Sequence, residues 1–163
     1  PTEIGNLTEL NNLTMYDFHL TGTIPTEIGN LKSLKNLISI GIDIFSIPTE
    51  IGNLKLLEKL KFIELPLYNI PTEIGNLVNL SHLDLSWNEL EGSIPPEIGN
   101  LVNLISLKLV LNNLTGVIPE SICDLNINWS FLSNFNISEN QLCPPYPSCI
   151  EDYVGNQDTS GCD

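Results

Sequence analysis

Four cysteines, Cys123, Cys143, Cys149 and Cys162, are the residues best equipped for covalent chemistry, and all lie in the last quarter or so of the chain. An even number of cysteines in one short segment, beside Pro144, Pro145 and Pro147, reads as disulfides closing the end of a secreted domain. Zinc is the alternative, but the 19, 5 and 12 intervening residues lack the short Cys-x-x-Cys pairs of most structural zinc sites. The histidines offer less. His19 and His82 fall in no metal or nucleophile motif, and no glycine-rich loop follows a strand in a phosphate-binding pattern. His82 reads as a surface strand residue. No catalytic residue, cofactor or metal is assigned, and the chain is read as a non-enzyme.

Two polar columns carry weaker chemistry. Glu3, Glu27, Glu50, Glu73 and Glu97 stand two residues after the repeat proline, with Glu120 one residue after Pro119, so stacking would set neighbouring carboxylates on the order of 5 Å apart. Such a ladder could collect calcium, which takes several oxygen ligands, but a turn residue fixed by the repeat is the simpler reading. Thr2, Thr26, Thr49 and Thr72 form an adjacent hydroxyl column that resembles the regular arrays of ice-binding surfaces, although Pro96 and the Glu120-Ser121 pair interrupt it. Six Asn-x-Ser/Thr sequons, at Asn6, Asn12, Asn79, Asn113, Asn128 and Asn136, matter only if the chain passes through a glycosylating pathway.

These columns exist because the chain repeats. Pro1, Pro25, Pro48, Pro71, Pro95 and Pro119 open versions of Pro-Thr-Glu-Ile-Gly-Asn-Leu at steps of 24, 23, 23, 24 and 24 residues. A period of this length, with leucines at fixed offsets, means one supersecondary unit per repeat that buries its apolar face only by stacking. The pattern Leu-x-x-Leu-x-Leu-x-x-Asn-x-Leu-x-Gly is complete at Leu80, Leu83, Leu85, Asn88, Leu90 and Gly92, and again at Leu104, Leu107, Leu109, Asn112, Leu114 and Gly116. From Pro1 to about Cys143 this resembles the leucine-rich repeat family. The Leu-x-Gly-x-Ile-Pro ending is similar to the plant-type repeats of receptor-kinase ectodomains and polygalacturonase inhibitors. The resemblance implies an α/β-type solenoid, a right-handed superhelix with one parallel sheet on its concave face and turns and short 3-10 segments on its convex face. Residues 1–142 are expected to form about six repeats, and residues 143–163 a disulfide-bonded C-terminal cap.

Composition agrees with one elongated core. Of 163 residues 42% are hydrophobic, enough for a single domain. Twenty acidic against six basic residues give a net charge of −14, which disfavours nucleic acid and anionic membrane and favours cationic partners. No apolar run approaches the roughly 18 residues of a spanning helix, so membrane insertion is not expected.

The departures from the pattern make specific expectations. Phe18, Ile42 and Leu65 stand where Asn88, Asn112 and Asn140 stand later, so the early repeats must satisfy buried backbone groups by shifted turns or water. Ile44-Phe45-Ser46-Ile47 and Leu67-Tyr68-Asn69-Ile70 lack the glycine seen as Gly22, Gly92 and Gly116, predicting tighter, more apolar outer turns. After Leu125 the next leucine, Leu132, comes seven residues on instead of three. The Asn126 to Phe131 segment, with Trp129, therefore bulges outward or folds over the core, and Leu132, Phe135 and Ile137 resume the pattern. Counting nine residues from Asn140 reaches Cys149, level with Ser121 counted from Asn112. That brings Cys123 near Cys149 and leaves Cys143 for Cys162. The family's Leu-Cys-x5-Cys ending implies Cys143 with Cys149 instead.

The strand residues between the inward leucines are the candidate binding site. One column reads Tyr16, Ile40, Ile63, Ser86, Val110 and Ser138, and its neighbour Asp17, Gly41, Glu64, Trp87, Leu111 and Glu139. Period-2 geometry turns them to solvent. Branched residues suit strands for structural reasons alone, yet Tyr16, Ile40, Ile63, Trp87, Val110 and Leu111 together would make an apolar patch of the kind that marks an interface. A flanking column, Lys61, Asp84 and Lys108, alternates in sign and reads as cross-strand pairing. The resulting expectation is a secreted or cell-surface module that binds a protein partner. The alternatives are a structural protein assembling head to tail, ice binding, and hydrolase inhibition, the last by analogy of fold alone. Self-association is attached to the first repeat, where Ile4, Leu7, Leu10, Leu13 and Met15 have no cap before them, and upstream repeats are the other expectation there.

Overall fold

The structure, a computed structural model, describes residues 1–16 and 21–162, so the expectations placed on Asp17, Phe18 and His19 lie outside the described residues. Eleven strands follow in chain order among those residues: β1 (Asn12–Tyr16), β2 (Thr21–Gly22), β3 (Asn36–Ile40), β4 (Asp43–Ile44), β5 (Lys59–Ile63), β6 (His82–Asp84), β7 (Glu91–Gly92), β8 (Ser106–Lys108), β9 (Asn113–Val117), β10 (Phe135–Asn136) and β11 (Gln141–Cys143). One strand per repeat builds a six-stranded parallel sheet in the order β1-β3-β5-β6-β8-β10. Its register follows the leucine pattern, with Leu13, Leu37, Leu60, Leu83, Leu107 and Phe135 in one row. Alternation does the positioning: in β5, Leu60 and Phe62 are fully buried while Lys59, Lys61 and Ile63 face outward.

Opposite the sheet, each Thr-Glu-Ile-Gly-Asn or its variant forms a five-residue 3-10 helix, as at Thr26–Asn30, Thr49–Asn53 and Thr72–Asn76. Proline sets the entry. Pro25 holds φ −65 and ψ 146, and its carbonyl accepts the Ile28 amide at 3.0 Å, closing the first turn. The glycine of the motif serves packing between repeats. A Cβ on Gly75 would stand 2.5 Å from the Glu97 carbonyl oxygen and 2.7 Å from Glu97 Cβ. The glutamate column is thus seated over the glycine of the repeat before it, and Glu27, Glu50, Glu73 and Glu97 are half-buried. Thr26, Thr49 and Thr72 stay exposed, each hydroxyl donating to the next residue's carboxylate at 3.3 to 3.4 Å.

Besides the one sheet expected, two short parallel sheets line the edge where the chain leaves the asparagine corner: β2-β4 and β11-β9-β7. They are separated at the third repeat, where Pro66 stands in line with Asp43 and Glu89 and has no amide to donate. The early repeats solve their missing asparagines as a shifted turn and a loan. Ile42 and Leu65 are buried; the Ile44 amide donates to Ile42 O at 2.9 Å, and Asn88 Oδ1 of the next repeat accepts the Leu65 amide at 3.1 Å. From there the ladder is regular. Asn112 Oδ1 accepts Leu90 N at 3.1 Å and Asn140 Oδ1 accepts Leu114 N at 3.0 Å. The outer turns of the two short repeats expose Phe45 and Tyr68.

The insertion folds over the core. Ile127 is buried, and Trp129 meets Phe135 edge-on, with centroids 4.9 Å apart and planes at 84°. Leu132, expected to resume the inward pattern, is instead 72% exposed, while Ile127 is buried and Trp129 covers Phe135. Disulfides join Cys123 to Cys149 and Cys143 to Cys162, the pairing given by the layer count and not the Cys143–Cys149 pairing of the family ending. Past Cys143, Ile150 and Val154 add buried apolar surface over the last layer. Gln157 forms a parallel bridge with Asn140.

Candidate functional site

The outward residues of the sheet form three rows across the repeats. The first contains Asn36, Lys59, His82 and Ser106; the second Ile38, Lys61, Asp84 and Lys108; the third Tyr16, Ile40, Ile63, Ser86 and Val110. Tyr16, Ile40 and Ile63 are in direct register on adjacent strands. Tyr16 is 68% exposed and Ile40 36%, while Ile63 and Val110 are half-buried. Ser86 interrupts the apolar row. It is buried, its amide and hydroxyl donating to Asp84 Oδ1 at 3.2 and 2.6 Å.

Trp87 and Leu111 are not strand residues, as the alternating pattern implied. β6 ends at Asp84 and β8 at Lys108, and Trp87 and Leu111 both occupy the left-handed region at φ 59. Gly41, Glu64 and Glu139 occupy the same corner with φ between 56 and 62. The corner is fixed by the next layer. The Trp87 amide donates to Val110 O at 3.0 Å and the Leu111 amide to Ser138 O at 3.1 Å. Glycine takes this conformation without strain, whereas an L side chain pays roughly 1–2 kcal/mol for it. A tryptophan there, 57% exposed, is therefore not explained by folding. Ile63, Trp87, Val110 and Leu111 fall on three successive layers, with Ile40 and Tyr16 continuing toward the first repeat.

The charged column is not paired as expected. Asp84 is in register with Lys61 on one side and Lys108 on the other, yet its carboxylate is turned to Ser86, and the ion pair found among the described residues is Lys35 with Glu58 at 3.3 Å. A hydrogen-bonded carboxylate with fixed partners is better satisfied than one shared between two mobile lysines. His82, in register with Lys59, accepts or donates at 2.8 Å with Ser81 Oγ. Burial holds its imidazole below its ordinary pKa, and Lys59, Lys61 and Lys108 lower it further. Ile105, just before β8 and 46% exposed, also borders this face. Its signal was present in the repeat alignment, where an isoleucine replaces Lys35, Glu58 and Ser81.

Among the described residues no group of three or more His, Cys, Asp or Glu is arranged around a common metal position, and no helix is long and apolar enough to cross a membrane.

The Leucine Rich Repeat family model matches residues 79–101 and 103–125. No curated protein matches the sequence. Among solved structures, the Arabidopsis receptor kinase HAESA, in complex with the peptide hormone IDA and the co-receptor SERK1, is 31% identical with a TM-score of 0.85 over 99% of this chain and 28% of that one. A plant ice-binding protein is 35% identical, with a TM-score of 0.68 over 82% of this chain and 42% of that one. The chain spans less than half the length of each of these two. A chain of the BIR3–SERK2 complex from Arabidopsis thaliana is 33% identical, with a TM-score of 0.62 over 79% of this chain and 68% of that one. The same strand and 3-10 turn recurring layer after layer, with the asparagine corner in the later repeats, together with these likenesses, place the chain in the leucine-rich repeat family, with repeats similar to those of plant receptor-kinase ectodomains.

Proposed function

We propose that the chain is a non-enzymatic, extracellular protein-binding module. In this reading residues 1–142 form the recognition solenoid, residues 143–163 its disulfide-bonded cap, and the partner docks on the sheet face through Tyr16, Ile40, Ile63, Trp87, Val110 and Leu111. The observation that carries it is Trp87, a large aromatic held exposed in a left-handed conformation. Such residues, once buried by a partner, anchor interfaces and can contribute more than about 2 kcal/mol each. The likeness to a receptor kinase solved with a peptide hormone and a co-receptor supports the same use of the scaffold. Two disulfides support a secreted or cell-surface setting. The test is binding of extracellular proteins from the source by the native chain and by Ile63→Ser/Trp87→Ser, with circular dichroism to verify the fold. Loss of one specific partner in the variant is expected. Binding that survives every change on this face and is abolished by one on the opposite face sinks the proposal.

A second reading, ice binding, is favoured by the likeness to the plant ice-binding protein and by the exposed Thr26, Thr49 and Thr72. Against it, each hydroxyl is turned to a charged glutamate. Thermal hysteresis that vanishes on Thr26→Val/Thr49→Val would establish it, and freezing behaviour equal to that of an ordinary protein would remove it.

A further inference from the structure

Of the chain's six basic residues, three converge on one part of the sheet face. Lys59 and Lys61 stand on β5 and Lys108 on β8, with His82 of β6 between them, in a protein whose net charge is −14. Of the three lysines elsewhere, Lys35 pairs with Glu58, and Lys32 and Lys55 donate to the carbonyls of Gly29 and Asn76. Among the described residues no carboxylate lies within 4.0 Å of the ammonium groups of Lys59, Lys61 or Lys108, and Asp84, registered between two of them, is 9% exposed and occupied by Ser86. The patch is therefore a local positive field on a negative molecule, opposite in sign to what the overall charge implies about partners.

The apolar anchors lie immediately beyond the lysines along the same strands. In β5 the order is Lys59, Lys61, Ile63; in the next two layers the corners add Trp87, Val110 and Leu111. Successive outward residues of a strand are about 7 Å apart, and neighbouring strands about 4.8 Å, so basic and apolar rows are side by side across three layers. We propose that this face binds an extended peptide segment of a partner protein that presents carboxylates to Lys59, Lys61 and Lys108 and an adjacent aromatic or aliphatic side chain to Trp87 and its neighbours. The proposal rests on the sheet-face reading above and specifies its ligand. A long polyanion fits worse: three lysines offer few contacts, the flanking surface is acidic and repels it, and the apolar row finds nothing to bury.

His82 agrees with this field: burial lowers its imidazole pKa most, and Lys59, Lys61 and Lys108 lower it further. The test uses the intact chain to select from a displayed library of random peptides, followed by affinity measurement of the enriched peptides by fluorescence polarisation. Enrichment of Asp or Glu next to an aromatic or aliphatic residue is expected, with affinity lowered about tenfold by Lys59→Gln/Lys61→Gln/Lys108→Gln and by added salt, and lowered again by Trp87→Ser. These side chains are exposed or half-buried, and an unchanged melting temperature verifies that the variants fold. Enriched peptides that are neutral or basic but still sensitive to Trp87→Ser overturn the acidic ligand and leave the sheet-face reading standing. Peptides insensitive to both changes, or no enrichment at all, overturn both. A heparin fragment that binds more tightly than any acidic peptide, in a lysine-dependent way, also overturns the peptide assignment.

Discussion

Gln157 stands to Leu142 as Asn140 stands to Leu114. Its Oε1 accepts the Leu142 amide at 3.2 Å, where Asn140 Oδ1 accepts the Leu114 amide at 3.0 Å. The donor side matches as well: Gln157 Nε2 reaches Ile137 O at 3.0 Å and Val154 O at 2.8 Å, as Asn140 Nδ2 reaches Leu109 O at 2.9 Å and Ile137 O at 3.0 Å. The cap therefore ends the asparagine ladder with a glutamine of the same function.

Replacing Gln157 with Ala removes one acceptor and two donors from groups with little access to water. An unsatisfied buried partner costs about 1–3 kcal/mol, so Gln157→Ala is expected to lower the denaturation midpoint and to speed amide exchange at Leu142 first. A surface glutamine would give a change within about 0.5 kcal/mol, and that result would remove the ladder role.

Trp87→Gly separates folding from function at one residue. Glycine relieves about 1–2 kcal/mol of left-handed strain and returns about 0.5–1 kcal/mol of it as chain entropy. Stability is expected to stay level or rise slightly in equilibrium denaturation, while partner affinity falls. A loss of more than about 2 kcal/mol in stability would mean that the indole packs as part of the fold.

The period, the register and the core were legible because each leucine row is written six times, so a lapse in one repeat is corrected by the others. Corners and ends were not. Nothing in the order Leu85-Ser86-Trp87 announces that the strand has stopped, since the left-handed turn is imposed by carbonyls of the next layer, such as Val110 O. Spacing alone points Leu132 inward, yet it is exposed while Ile127 is buried and Trp129 packs edge-on against Phe135, an outcome of packing that no spacing announces. Gln157 sits 17 residues after Asn140 and differs in type, so the repeat pattern does not connect the two. The lysine patch was visible as letters, but its meaning depended on where Asp84 turned its carboxylate.

The glycines of the 3-10 helices are expected to be intolerant for reasons of space. Gly75→Ala would set a methyl 2.5 Å from the Glu97 carbonyl oxygen, a backbone atom that can move only by parting two repeats. Overpacking of this sort costs about 1–3 kcal/mol. Gly161→Ala, with nothing within 4 Å of the added carbon, is the control and should be neutral. Equal melting temperatures for the two variants would mean that the layers slide apart freely and that the glycine column has no packing role.

His82 gives the sheet face a pH signature with a definite sign. Its imidazole is half-buried, in register with Lys59, flanked by Lys61 of the same strand and Lys108 of β8, and beside Asp84 on its own strand, with Ser81 Oγ at 2.8 Å from Nδ1. Burial first, and then the three lysines, depress the folded pKa below the ordinary 6.5. The unfolded chain therefore takes up the proton more readily than the folded one, and lowering the pH favours unfolding. The contribution is fully present above pH 6.5 and is lost as the pH falls through the folded pKa. Titration of the imidazole by nuclear magnetic resonance should show a midpoint below 6.5 that rises only part of the way in Lys59→Gln/Lys61→Gln/Lys108→Gln, because burial remains. His82→Gln should flatten the fall of stability below that pH. A midpoint at or above 6.5, or one that ignores the lysine replacements, would show that these ammonium groups lie too far from His82 to act together on anything bound beside it.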